Sequence, residues 1–446
     1  MQNTPQQATG WWSRARNGLD SLFRRIEGRG AGAGNSAYYL ILGSTVALTA
    51  IGVLMVVSAS SVESIAAGES PYANGLKQGV VAVLGFVVMI LISRSNVRFW
   101  HRIAWPAYFL AVALLLALFV VGTKVNGNLN WINVGGFSLQ PSEAAKLAMA
   151  VWLAHVLFRK EKLLDQWKHV YIPAVIFGGV IVGIVMVQHD LGTALILMSI
   201  LFSALFFAGV NYRILGGFGL LLIGLAGMAA LTSGNRMCRV TTWVTGQACS
   251  DDYDSAYQST GGLYGLASGG LLGTGLGQSR QKYSWIPEAH NDFIFAIIGE
   301  ELGLVGAVVV LVLFAVLGIN IYRVVIRQEQ LFHRVLGGAI MVWILGQATV
   351  NMAMVTGLLP VIGVPLPLIS YGGSALLMTL IAIGVVLSLA RDSDPSRAGT
   401  GGVTGKSGKS GKGLRLPARP GKPKPRTTKK TSTDRAPRTQ ERASRS

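Results

Sequence analysis

The sequence predicts an all-α polytopic membrane protein: ten transmembrane helices, both termini cytoplasmic, and a long extracellular loop between helices seven and eight. Three observations carry that prediction. Hydrophobic residues make up 51% of the 446 and charged residues only 13%, with a mean hydropathy of +0.48, a balance foreign to soluble domains. Nearly uncharged runs of about 18 to 25 residues recur along the chain, each long enough to cross a hydrocarbon core of ~30 Å at ~1.5 Å per residue. The runs are continuous rather than alternating, and lipid-embedded backbone must satisfy its own hydrogen bonds, so they read as helices.

Residues 1–36 form a cytoplasmic segment. Within it Trp11, Ala15, Leu19, Leu22 and Ile26 fall at helical spacing opposite Arg14, Arg24 and Arg25, the pattern of a short helix lying in the inner interface. The membrane domain, 37–390, follows with spans at 37–58, 76–93, 104–122, 142–158, 170–187, 191–208, 212–232, 292–321, 335–355 and 370–390. Basic residues occupy every second connection: Arg94, Arg98 and Arg102, then Arg159, Lys160, Lys162 and Lys168, then Arg213, then Arg323, Arg327 and Arg334. Those connections and both tails are therefore cytoplasmic, and the loop 233–291 is outside. There is no cleavable signal pattern, so the first span anchors the protein in the plasma membrane.

The formal charge of +19 suggests nucleic acid at first sight, but 16 of the 39 basic residues lie beyond Ala390, giving that segment +12 after its four acids. Residues 391–446 are rich in Gly, Pro, Ser, Thr and Lys and cannot bury a core, so they read as a disordered basic tail. Such a tail suits the anionic inner leaflet or an acidic partner rather than nucleic acid. The two cysteines, Cys238 and Cys249, both fall in the predicted outer loop, where a disulfide is chemically permitted and would close a short loop. No Walker loop, GxSxG elbow or zinc-ligand spacing of histidines is present.

The few remaining polar residues gather near predicted outer helix ends. Glu143 and Lys146 lie three apart and share a face of helix four; His189 and Asp190 form the corner between helices five and six; Glu288, His290 and Asp292 open helix eight. Three clusters at one depth suggest one site facing the outer leaflet. Each has a plainer reading. Asp292 and Asp190 suit helix starts, where a carboxylate caps free N–H groups, and Glu143 and Lys146, or Lys146 and Asp190, can simply neutralise each other. Glu300 and Glu301 lie about 12 to 13 Å further along helix eight, beside Gly299 and Gly303, and read as structural. Between helices nine and ten, Gly357 to Ser374 is apolar but broken by prolines and glycines, and includes Ser370 and Gly372. Such backbone is tolerated at membrane depth where it walls a cavity.

Four motifs in order, QPSEAAKLA at 140–148, QHDLGTAL at 188–195, PEAHNDFIFAIIGEELG at 287–303 and LPLISYGGS at 366–374, resemble the SEDS family of shape, elongation, division and sporulation proteins over nearly the whole membrane domain. The division branch is the better match and the elongation branch the runner-up. The resemblance implies polymerisation of lipid II, the undecaprenyl-diphosphate disaccharide pentapeptide, into glycan strands at the outer face of the membrane, at the septum. It implies a class B penicillin-binding protein (FtsI-like transpeptidase) as partner, alongside other division proteins. It places the catalytic acid at Asp292, with Glu143, Lys146 and Asp190 in support; Glu288, His290, Ser370 and Gly372, which fall in the same four motifs, are the further candidates for supporting the site or binding substrate. The family often carries a basic residue just ahead of the tryptophan that precedes QPSE; here Asn130 precedes Trp131. The leaving diphosphate calls for a counter-charge, from Lys146, Arg236, Arg239, Arg280 or Lys282, or from a divalent cation such as Mg or Mn. A lipid II flippase and a chemistry-free scaffold are the competing functions. The crowding of polar residues at outer ends speaks against a translocation path.

Overall fold

The computed structural model describes residues 33–125, 128–134, 137–231, 234–246, 253–282 and 290–392. The N-terminal segment to residue 32, the tail from 393, Glu288 and Cys249 lie outside the described residues.

The helices are α1 (Ala33–Ala66), α2 (Ala73–Ile92), α3 (Val97–Val121), α4 (Pro141–Arg159), α5 (Trp167–Val187), α6 (Leu191–Ala208), α7 (Tyr212–Leu231), α8 (Gly234–Thr245), α9 (Tyr253–Ser268), α10 (Ile294–Arg327), α11 (Leu331–Val355) and α12 (Gly373–Asp392). Eight of them, α1, α2, α3, α5, α6, α10, α11 and α12, are long and apolar enough to cross a membrane. The other two predicted spans coincide with α4, which carries Glu143, Lys146 and Arg159, and with α7, whose apolar stretch is shorter.

α11 is the axis of the bundle, packing against α4, α6, α10 and α12, while α12 also packs on α1 and α2. Local chemistry sets the helix ends. Asn96 caps α3 by accepting from the Arg98 amide at 3.2 Å. Pro141 opens α4, where its missing N–H costs nothing, and Gly209, at φ +79, closes α6 in a left-handed turn. α5 contains a π turn at Ala174–Gly178 directly after Pro173.

Three features depart from the sequence reading. A three-stranded antiparallel sheet, β1 (Thr123–Val125), β2 (Asn128–Val134) and β3 (Phe137–Leu139), fills the connection between α3 and α4. Trp131 pairs with Thr123 and Ile132 with Leu139. The outer loop 233–291 is not loop throughout, because it contains α8 and α9. The predicted continuous span from 292 to 321 is broken: α10 begins at Ile294, after Asp292, and Gly303 interrupts it at φ 69 and ψ −167. Only glycine adopts that conformation without cost, and a Cβ there would also strike the amide of Gly273 and the carbonyl of Leu271.

The connection after α11 folds back into the bundle. Gly52 of α1 admits it, since a Cβ at Gly52 would lie 2.6 Å from both Ile369 Cα and the Leu368 carbonyl.

Candidate active site

Asp292 sits half-buried in the turn ahead of α10, and three consecutive backbone carbonyls hold that turn. The His290 carbonyl accepts from the Tyr371 amide at 3.0 Å. The Asn291 carbonyl accepts from the Ser370 hydroxyl at 2.6 Å, and the Asp292 carbonyl from the Asn351 side-chain amide at 2.7 Å. Two donors come from the connection between α11 and α12 and one from α11. Asn351, fully buried, also donates to the Val364 carbonyl at 2.7 Å, tying that connection to the same point. Gly363, at φ +77, brings the connection against the carboxylate: a Cβ there would lie 3.5 Å from Asp292 Oδ2. The backbone of Asp292 is thus held at three successive carbonyls while the residue itself stays partly exposed.

A second line of polar groups reaches the site from α4. Lys146 Nζ lies 2.8 Å from Glu143 Oε1, both side chains 2% exposed. It also donates to Gln347 Oε1 at 2.9 Å and lies 5.2 Å from the Trp343 ring centre. Gln347 in turn donates to the Pro365 carbonyl at 2.9 Å. Lys146 is therefore paired and buried rather than presented to a substrate, and it acts on the α11–α12 connection through Gln347. Ser370 has a similar function inside that connection, since its hydroxyl also accepts from the Leu366 amide at 2.7 Å. Around Gly372, the Gln78 side chain of α2 accepts from the Gly372 amide at 3.3 Å and donates to the Ser370 carbonyl at 3.1 Å.

Asp190 caps α6, accepting from the Thr193 amide at 2.9 Å and the Thr193 hydroxyl at 2.7 Å. Its other neighbour is Asn130 of β2, whose side-chain amide donates at 3.0 Å. Burial pushes the Asp190 carboxyl above its ordinary range, although the Thr193 donors and the Lys146 charge oppose that shift. The adjoining corner meets the wall of the site, because a Cβ at Gly192 would lie 2.9 Å from Val364 Cγ2 and 3.3 Å from the Gly363 carbonyl.

His290 Nδ1 lies 3.0 Å from Glu63 Oε2 at the end of α1. Glu300 and Glu301 stand apart from these groups and serve the fold. Glu300 accepts from the Ser279 hydroxyl and the Arg280 amide, and Glu301 from the Ser58 hydroxyl, with Lys282 Nζ at 3.6 Å. Of the candidate counter-charges, Lys282 is buried in that pair while Arg280 is exposed. Cys238 is disulfide-bonded. Among the described residues, no group of three or more His, Cys, Asp or Glu side chains comes together to hold a metal ion.

Gln78, Asn130, Gln347, Asn351 and Glu63 were not among the residues expected from sequence. The signal for two of them was present: Trp343, Gln347 and Asn351 are spaced by four, so they share one stripe of an otherwise apolar helix.

The family model for FtsW, RodA and SpoVE, described as cell cycle proteins, matches residues 38–394. The chain is 37% identical over 358 residues to the probable peptidoglycan glycosyltransferase FtsW of Mycobacterium tuberculosis, covering 80% of this chain and 68% of that one. It is 37% identical over 357 residues to stage V sporulation protein E of Bacillus subtilis, covering 78% of this chain and 95% of that one. Among solved structures it is similar to a chain from work on the coordination of polymerization and crosslinking by a peptidoglycan synthase complex. That match has a TM-score of 0.64 and 26% identity, and covers 80% of this chain and 98% of that one.

Proposed function

The chain belongs to the FtsW, RodA and SpoVE family of cell cycle proteins, and from that membership we propose that it is a peptidoglycan glycosyltransferase of the division type, polymerising lipid II with Asp292 as general base. The observation that carries the assignment of the base is the half-buried carboxylate on a backbone held at three successive carbonyls, with Gly363 beside it. The 4-hydroxyl of the acceptor's terminal sugar is a poor nucleophile. Asp292 within ~3 Å of it takes the proton as the oxygen attacks the donor's anomeric carbon. One displacement inverts that carbon and expels the polyprenyl diphosphate, so no covalent enzyme intermediate forms. Glu143, Lys146, Asp190, His290 and Ser370 shape and hold the site around this base.

The divalent cation suited to the leaving diphosphate belongs on the substrate side of this reading. Mg2+ characteristically binds through one or two carboxylates and the phosphates of its substrate rather than in an all-protein cage. The protein crosses the plasma membrane ten times, with α4 and α7 completing the eight long apolar helices, both termini cytoplasmic and the site at the outer face. The basic loop pattern and the disulfide at Cys238 support that orientation. A class B penicillin-binding protein is the partner, in keeping with the joint polymerization and crosslinking of the similar synthase complex.

The test is glycan polymerisation from purified lipid II by the protein copurified with that partner, comparing wild type with Asp292→Ala at matched folding and complex yield. Strands from the wild type and none from the variant are expected. Equal activity would remove Asp292 from the chemistry, and an inactive wild type in an intact complex would remove polymerisation from the protein.

A further inference from the structure

We infer that Glu63 is a positioning residue for polymerisation, acting through His290 on the backbone that presents Asp292. The inference rests on the polymerase reading and adds to it a residue from α1. At 34 residues, α1 extends ~51 Å, well beyond a core of ~30 Å. Its final turns therefore stand clear of the hydrocarbon, and Glu63 is in the last of them, its side chain 58% exposed.

The geometry of the turn gives this contact its importance. Tyr371, Ser370 and Asn351 hold the carbonyls of residues 290, 291 and 292, and all three approach from the α11–α12 side. They fix where the backbone lies. The His290 ring meets Glu63, with Nδ1 at 3.0 Å from Oε2, and the ring itself is buried, its side chain 7% exposed. The Tyr371 ring lies 5.3 Å from it, inclined at 63°. Glu63 adds to these anchors one from a different helix, on the side chain rather than the backbone of the turn. Asp292 is two residues further on, so a rotation of the turn moves the carboxylate directly. Misplacement of a catalytic group by ~1 Å can cost about a hundredfold in rate. A second acid nearby, Glu69, pairs with Lys77 at 3.6 Å with both side chains more than half exposed, and it provides a control of like charge and location.

The experiment is steady-state polymerisation of lipid II by the complex with the class B partner, with rates referred to folded complex. Glu63→Ala is expected to lower kcat about tenfold while leaving KM within about twofold, because the residue orients the base and does not bind the substrate. Glu63→Asp should recover part of the rate, and Glu69→Gln should match wild type. In a His290→Gln background Glu63→Ala should add little, since the two act as one unit. The inference is overturned by a Glu63→Ala kcat equal to wild type, by a loss explained wholly by less folded complex, or by full additivity with His290→Gln. If wild type polymerises and Asp292→Ala does not, such a result removes only the role of Glu63. If wild type makes no strands, the polymerase reading falls first.

Discussion

Lys146 shows how a single residue can matter to a site it never enters. A buried ammonium between Glu143 and Gln347 has lost its water, and the ion pair recovers that cost only while both partners remain. Lys146→Met should therefore destabilise the folded protein by about 3 to 5 kcal/mol, because it leaves the Glu143 carboxylate buried without a cation. Glu143→Gln combined with Lys146→Met should restore much of that stability, while activity stays low because Gln347 loses its anchor. Thermal unfolding in detergent, read beside polymerisation, separates the two effects. If the double variant were as unstable as the single one, packing by the lysine stem, rather than its charge, would be the cause. Sequence alone placed Glu143 and Lys146 on one face of one helix, which follows from a spacing of three. It left open whether Lys146 meets Glu143 or Asp190, because that depends on which helices neighbour α4. The side chain that decides, Gln347, lies 201 positions away.

At the scale of the element, the break in α10 has the clearest consequence. The short segment before Gly303 carries Glu300 and Glu301, and the Gly269–Lys282 connection lies across the break. Thr274 and Gly275 donate to the carbonyls of residues 300 and 301 at 2.9 and 3.1 Å, and Leu304 donates to the Gly270 carbonyl at 2.9 Å. Gly303→Ala should lower stability by about 1 to 3 kcal/mol from the positive φ alone, with the clash against Gly273 and Leu271 adding to it. A lowered Tm is the expected result, and an unchanged Tm would mean that the helix can straighten. This break was poorly legible beforehand, since glycine in a membrane helix also marks close packing and the hydropathy runs through it. The sheet between α3 and α4, absent from the sequence reading, left only a short trace: Asn128, Leu129, Asn130 and Trp131 alternate with a period of two before Ile132 breaks the pattern. The long apolar helices were the most legible of all, because length and continuity suffice to identify them.

For the whole molecule, orientation is the property that every functional statement depends on. Reduction of the Cys238 disulfide should cost about 3 kcal/mol for a loop as short as the one that Cys249 would close, and should leave the bundle assembled. A mass shift on alkylation before and after reduction, with Tm measured in parallel, checks both points; a Cys238 already open to alkylation would count against an outer location. In sequence the polar clusters share one depth and the segment 357–374 reads as backbone that can wall a cavity, but the groups this segment meets, Asn351, Gly192 and the Asp292 turn, were not legible, since that packing joins helices far apart in the chain. The π turn at Ala174–Gly178 adds a constraint of another kind. A π turn holds one more residue than the α-helical turn it replaces, and here it precedes the corner where the Gln188 side chain donates to the Leu115 carbonyl and Asp190 meets Asn130. Deleting one residue from that stretch would let the helix close into regular α geometry with everything after it still in phase, whereas adding one would turn everything after it by about 100° and carry the corner away from its partners. Substitutions there change packing alone. The segment therefore has slack in one direction only, so a one-residue insertion should do more damage than a one-residue deletion or a change of any side chain within it.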